Sequence, residues 1–336
     1  MSQSADAPVP TGLGPIPSRP TARGTLQDYL AIARFDHATK HVFIIPGIIL
    51  AYALRGIWPP HAILMLLAGC GSAVAIASAN YVINEWLDRE FDAHHPQKSK
   101  RTAVNTALSP TIVYLEYAIL LAAGIILATF IGDLFLTTTI LFAISGVFYN
   151  VRPMRTKDRA YLDVISESIN NPIRLTLGWT MIDPTGLPPS SLLLAYWGGG
   201  AYLMAAKRLS EYRDIYADAG LETLHLYRRS FRSYTAENLT VSCFLYAITS
   251  AFFIAVFLIK YRVEYIVAFP LIAFLFAVYL WLALRRNSIA QRPERLFRSR
   301  RLVTTLVALI LLLLVLSFVH LPFLKYVSDP SFTLLR

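Results

Sequence analysis

Apolar residues in this chain gather into long blocks separated by short polar stretches. A block of about 20 apolar residues is what an α-helix needs to cross the hydrocarbon core of a bilayer. Nine segments meet that length or nearly so: about 41–57, 62–84, 111–131, 133–150, 163–182, 190–209, 238–259, 264–284 and 302–322. The first is shorter than ideal and the fourth is tight. Because lipid satisfies no backbone polar group, the pattern predicts an all-α polytopic membrane protein, a bundle of nine transmembrane helices. Ahead of the blocks, Thr25 and Asp28 make a helix start, and Leu26, Tyr29, Leu30, Ala33 and Phe35 favour a short helix lying in the membrane interface. Residues 1–24 are rich in Pro, Ser and Ala with no apolar core, the composition of a disordered cytoplasmic tail and not of a signal peptide. The expected organisation is a tail at 1–24, a membrane domain at 25–325 and a C-terminal tail at 326–336.

Composition agrees: of 336 residues 55% are hydrophobic and 15% charged, which excludes a single soluble globule. The net charge of +10 raises the question of nucleic acid, and its placement answers it. With the N-terminus inside, the tail and the inner ends and loops after spans two, four, six and eight carry 25 of the 31 Lys and Arg residues. They include Lys98, Lys100 and Arg101; Arg152, Arg155, Lys157 and Arg159; and Arg292, Arg295 and Arg298. Outer segments hold Arg55, Lys260, Arg262, Lys325 and Arg336, and Arg174 lies within a span. The positive-inside rule therefore sets the N-terminus in the cytoplasm and the C-terminus outside, in the inner (plasma) membrane of the cell. The lipid bilayer is the expected partner, and no nucleic acid is needed to explain the charge. Cys70 and Cys243 lie in apolar runs and form no disulfide framework.

Candidate chemistry collects at the inner ends of even-numbered spans. Span two ends Asn84-Glu85-Trp86-Leu87-Asp88-Arg89-Glu90-Phe91-Asp92, which puts Asp88 and Asp92 on one helix face. Carboxylates oppose the dipole at a helix C-terminus, so a cation is expected nearby. Span six repeats the spacing: Glu-x-x-Asp-x-x-x-Asp occurs at Glu85/Asp88/Asp92 and again at Glu211/Asp214/Asp218. Two acidic clusters on one side of the membrane suit Mg²⁺ shared with substrate phosphates, with Asp88, Asp92, Asp214 and Asp218 as its expected ligands and as the catalytic groups. The plainer alternative is an interfacial acid cluster balanced by Lys98 and Arg101. The run His94-His95-Pro96-Gln97-Lys98-Ser99-Lys100-Arg101 reads as a phosphate-binding turn, or as an inside loop and no more. In span five Asp163, Glu167, Asn170 and Arg174 share a face within about 60° and carry polarity ~16 Å into the bilayer. That stripe is either a wet active-site wall or a Glu167–Arg174 ion pair locking the bundle. Pro172 breaks the helix ladder beside it.

These motifs in this register resemble the UbiA superfamily of intramembrane transferases, with Asn84-Glu85-x-x-Asp88-x-x-x-Asp92 for its first motif and Asp214-x-x-x-Asp218 for its second. Glu85 stands where that family usually has Asp. The resemblance covers essentially residues 26–322 and implies a helical bundle open to lipid, in which Mg²⁺ binds the diphosphate of a donor. Tyr149 and Lys157 are similar to a further family element near the diphosphate. His95-Pro96-x-Lys98-x-x-Arg101 resembles the decaprenyl-phosphate phosphoribosyltransferases, as do Arg34 with Lys40, Leu162-Asp163-Val164 with Arg174, and Lys207-Arg208-x-x-Glu211. Thr102 replaces a usual Pro, and Ser166 to Pro172 is more polar than that subfamily expects.

The resemblance thus implies transfer of phosphoribose from phosphoribosyl diphosphate, an anionic diphosphate donor, to a polyprenyl phosphate lipid. The substrate-binding set is Lys40, Asn84, Lys98, Arg101, Tyr149, Lys157, Asp163, Arg174, Lys207, Arg208 and Glu211. Within it Lys40, Lys98, Arg101 and Lys207 neutralise phosphates. The alternative is polyprenyl transfer to an aromatic acceptor such as 4-hydroxybenzoate, with Trp179, Tyr196 and Trp197 lining the tail channel. An ion-coupled transporter is a third reading, although coupling-ion sites tend toward the midplane and these acidic clusters sit at the inner ends.

Overall fold

A computed structural model describes residues 23–35, 38–95, 98–291 and 299–324, without the side chains of 38–40. Most of the expected tails, together with Pro96, Arg292, Arg295, Arg298 and the Lys40 side chain, lie outside the described residues. Within them the chain is helical, and its one bridge of β type joins Arg23 to Ala107. Helix α1 (Leu26–Ala33) begins with a capping box, Thr25 donating through its backbone N–H and its hydroxyl to Asp28 at 2.8 and 2.7 Å. It docks Tyr29, Ile32 and Ala33 against Val82, Trp86 and Ala103, and leaves Leu26, Leu30 and Phe35 exposed.

The chain continues through α2 (Ile45–Arg55), α3 (Ala62–Asp92), α4 (Thr102–Asn105), α5 (Pro110–Thr129) and α6 (Asp133–Asn150). Next come α7 (Leu162–Ser168), α8 (Asn170–Thr180), α9 (Ser190–Tyr227), α10 (Ala236–Tyr261), α11 (Phe269–Ala283) and α12 (Arg300–Phe318). Six stretches among the described residues are long and apolar enough to cross a membrane: α3, α5, α6, α10, α12, and α11 with the 3-10 turns from Val263 that lead into it. The three other expected spans depart in instructive ways. The first has 11 α-helical residues preceded by 3-10 turns. The fifth is divided into α7 and α8 at Ile169, because Pro172 has no N–H to donate to the Ser168 carbonyl one turn back. Trp197 Nε1 covers the break by donating to Ile165 O at 3.1 Å. The sixth opens α9, whose apolar stretch is interrupted by Gly198, Gly199 and Gly200 before it runs into Lys207.

Helices meet through small residues, as expected where lipid supplies no hydrophobic contrast. Ser72 donates to Gly124 O at 2.7 Å across α3 and α5, and Ser250 to Ala195 O at 2.9 Å across α10 and α9. The tightest crossing is α2 on α8. A Cβ at Gly47 would lie 2.0 Å from Leu175 O, and one at Gly178 would lie 2.0 Å from Ile44 O. No side-chain rotation relieves contact with a backbone oxygen. Gly178→Ala is therefore expected to cost about 1–3 kcal/mol. Thermal unfolding in detergent should show a clear drop in Tm for it and a smaller one for Gly199→Ala, whose Cβ meets only the Ser250 hydroxyl at 3.2 Å. At the other end of the same pair, Arg55 of α2 donates to the buried Asp183 carboxylate beyond α8 at 2.9 Å.

Candidate active site

A cavity of about 430 Å³ opens between α3, α6, the α7–α8 break and α9. On α3, Asn80, Asn84 and Asp88 occupy successive turns and line it. Asn84 donates to Asn150 Oδ1 at 2.5 Å, and the Lys157 ammonium donates to the same oxygen at 2.7 Å. Asp88 Oδ1 lies 2.6 Å from Lys157 Nζ and 2.7 Å from an Arg155 guanidinium nitrogen. One turn on, the buried Asp92 is paired with Arg101 and is 4.0 Å from Lys98. The acidic helix end thus meets four cations, the compensation that its dipole calls for.

Lys98 and Arg101 line the cavity from the turn after α3. Burial pushes the Lys98 ammonium down to about 8, helped by Arg101 and Arg228 and opposed by Glu211 and Asp92. Burial likewise lowers Lys157 to about 8 against the pull of Asp88. Both lysines therefore gain from a further anion, and diphosphate is such an anion. His95 is brought down to about 3 by burial and by Lys98, so it is neutral. Its Nδ1 accepts the Lys98 backbone N–H at 3.2 Å, and its ring packs on Tyr227, whose hydroxyl also receives the Lys98 ammonium.

The facing wall is built on Arg208 of α9, which is 1% exposed. Its guanidinium reaches Asp163 at 3.2 Å, Glu167 at 2.8 Å and Glu211 at 2.8 Å. Asp163 is fully buried behind the wall, accepts from Ser230 and Tyr234, and forms an ion pair with Arg228 at 3.3 Å. Tyr149 donates to Glu167 at 2.7 Å and accepts from Arg228 at 2.9 Å. Of the two readings of the span-five stripe, the wall describes Glu167, Asn170 and Arg174, which line the cavity, and Glu167 pairs with Arg208. Arg174 lines the cavity over the Phe142 ring, and its Nε is buried without a hydrogen-bond partner. Lys207 and Glu211 line the same wall.

Asp214 and Asp218 lie elsewhere. At 100° per residue they share a helix face with Lys207 and Glu211, but one and two turns nearer the helix end, past the rim of the cavity. There Asp214 accepts from Asn287 N at 3.0 Å and Gln291 Nε2 at 2.7 Å, and Asp218 from Arg286 at 2.6 Å. Gln291 itself lines the cavity, so Asp214 stands directly behind the wall while also bordering a separate cleft. Among the described residues no three His, Cys, Asp or Glu side chains converge as a ready metal cage. Among the described residues the lining holds seven Lys and Arg side chains, namely Arg34, Lys98, Arg101, Arg174, Lys207, Arg208 and Arg228, against three carboxylates, Asp88, Glu167 and Glu211. Arg155 and Arg228 were concealed in the sequence because an inside loop explains its cations by topology alone. Their only signal was proximity to the motifs in space.

The model of the UbiA prenyltransferase family matches residues 42–303. The chain belongs to the UbiA prenyltransferase family. This UbiA-family chain is a multi-pass membrane transferase, as its apolar helices and its family require. It resembles a UbiA homolog from Archaeoglobus fulgidus bound to GPP and Mg²⁺, with a TM-score of 0.65 at 19% identity over 86% of this chain and 99% of that one. The same homolog bound to DMAPP and Mg²⁺ gives 0.63 at 19% identity, over 87% and 100%. A digeranylgeranylglyceryl phosphate synthase structure gives 0.56 at 14% identity, over 87% and 94%. No curated protein matches the chain.

Proposed function

We propose that this protein transfers phosphoribose from phosphoribosyl diphosphate to a polyprenyl phosphate. The observation that carries the reading is the excess of cations on the cavity wall, seven against three carboxylates, spread over both sides. A donor with a diphosphate at one end and a separate phosphate at the other uses such a wall; a prenyl tail does not. Trp179, Tyr196 and Trp197, expected to line a tail channel in the prenyl reading, are absent from the cavity lining. Trp179 is buried, Tyr196 packs edge-on against Phe43, and Trp197 serves the α7–α8 break.

Mg²⁺ fits the first motif. Asp88 already collects positive charge at 2.6 and 2.7 Å, with Asn84 and Asp92 one turn to either side. One or two carboxylates plus phosphate oxygens and water are the usual Mg²⁺ ligands. In this assignment Asp88 on the cavity wall, and Asp92 buried one turn beyond it and outside the lining, would hold the ion, which would supply charge neutralisation to a departing diphosphate, while Asp214 orients Gln291 and Asp218 pairs with Arg286 at the rim. Lys98, Arg101 and Lys207 bind phosphate oxygens, and Arg174 offers its unpartnered Nε. The bond from the ribose anomeric carbon to the diphosphate breaks with its electron pair on the leaving oxygen. An oxygen of the lipid phosphate forms the new bond to that carbon. The cavity carboxylates Glu167 and Glu211 stabilise the oxocarbenium-like centre between the two events. The lipid phosphate is anionic at neutral pH, so no general base is required. The chain threads the inner membrane nine times in this reading, with its N-terminus and site loops in the cytoplasm.

Purified protein with Mg²⁺ is offered phosphoribosyl diphosphate plus polyprenyl phosphate, or polyprenyl diphosphate plus 4-hydroxybenzoate. Lipid-linked phosphoribose in the first assay and no product in the second is the expected result. The reverse overturns the donor assignment, and ion flux in vesicles with diphosphate release in neither assay overturns the enzyme.

A further inference from the structure

We infer that Glu85, where the family usually carries a metal-motif Asp, serves here to position phosphate-binding cations. The inference rests on the reading of the cavity as a diphosphate site. Glu85 does not line the cavity, although Asn84 and Asp88 on either side of it do. Its side chain is 4% exposed, and both of its oxygens are occupied. Oε2 receives Arg34 Nε at 2.8 Å and a second Arg34 nitrogen at 2.7 Å. Oε1 accepts the Ala103 backbone N–H at 3.4 Å.

These two contacts come from opposite flanks. Arg34 terminates α1 in a left-handed conformation, φ 54°, which is costly for a residue with a side chain and needs external support. Arg34 lines the cavity and keeps 18% of its side chain exposed, so three of its donors are not taken up by Glu85 Oε2. Ala103 lies in α4, two residues after Arg101, another cation on the cavity wall. One carboxylate thus ties the docking of α1 to the turn that carries Lys98 and Arg101.

The test uses the full-length protein in nanodiscs and inorganic diphosphate with saturating Mg²⁺ as the probe, comparing wild type, Glu85→Gln, Arg34→Gln and the double variant. Each single change is expected to raise the diphosphate Kd about tenfold, the worth of one charge-assisted contact. The double variant is expected to rise no further, because the two residues act as one unit. Mn²⁺ binding, read by electron paramagnetic resonance without diphosphate, is expected to match wild type in all of them. Loss of Mn²⁺ in Glu85→Gln, independent multiplying effects in the double variant, or an unchanged Kd in Arg34→Gln overturns the inference. If Glu85→Gln fails to fold, Arg34→Gln alone decides by the same Kd and Mn²⁺ readings. Inorganic diphosphate is common to both donor readings. Absence of turnover with either donor therefore defeats the proposed function and leaves this result standing.

Discussion

Replacing Asp88 by Asn is expected to lower turnover by about a thousandfold or more, close to 4 kcal/mol of transition-state stabilisation. The change keeps the shape of the side chain and removes its charge. Two consequences add together. The carboxylate that faces the leaving diphosphate is lost, and Lys157 and Arg155, both nearly buried, lose the anion they share. Burial already lowers Lys157 to about 8 and Asp88 is the group that opposes the fall, so its loss weakens the hold on that charge as well. Initial rates with the productive donor, alongside thermal unfolding, separate loss of chemistry from loss of fold. A variant with nearly full turnover would remove Asp88 from the mechanism.

Arg208→Met is expected to be the most damaging single change to stability. The guanidinium is the common partner of Asp163, Glu167 and Glu211, two of them almost fully buried. Removing it strands negative charge in the bundle, and breaking a buried pair in this way costs about 3–5 kcal/mol. Met fills the volume and restores none of the donors. Arg208→Lys should recover little, because one ammonium lacks the planar fork that reaches three carboxylates at once. Thermal unfolding in detergent measures both. A Tm within a few degrees of wild type for Arg208→Met would mean that the carboxylates are held by Arg228 and the Ser230–Tyr234 segment instead.

Sequence periodicity places part of each helix face on the cavity and misses where that face passes beyond it, as at Asp92 and Asp163. Asn84 and Asp88 fall on the cavity as their spacing on α3 requires, and Lys207 and Glu211 do so on α9. Depth along the axis is a separate quantity, fixed by the segments that cap the bundle. The turns that bring Asn287 and the cavity-lining Gln291 onto Asp214 cover it, and no repeat in the sequence encodes them. The division of span five was visible at Pro172, but its partner was not, since Trp197 reads as one more aromatic in an apolar block. Long-range pairing is the part that local pattern leaves open. Arg208 meets Asp163 across 45 positions and Arg34 meets Glu85 across 51, and each pair is decided by which helices touch.

The segment that this chain shares with its family model begins at residue 42, whereas α1 and Arg34 precede it. Part of the cavity wall is therefore supplied from outside the segment that the family model matches. Exchanging that short leading helix would alter the grip on a phosphate from this flank, provided that α3 carries a carboxylate at position 85 to receive Arg34. A chimera joined at residue 42 would move α1 and Arg34 alone, and would need Glu85 of α3 as well to carry the tie from one family member to another.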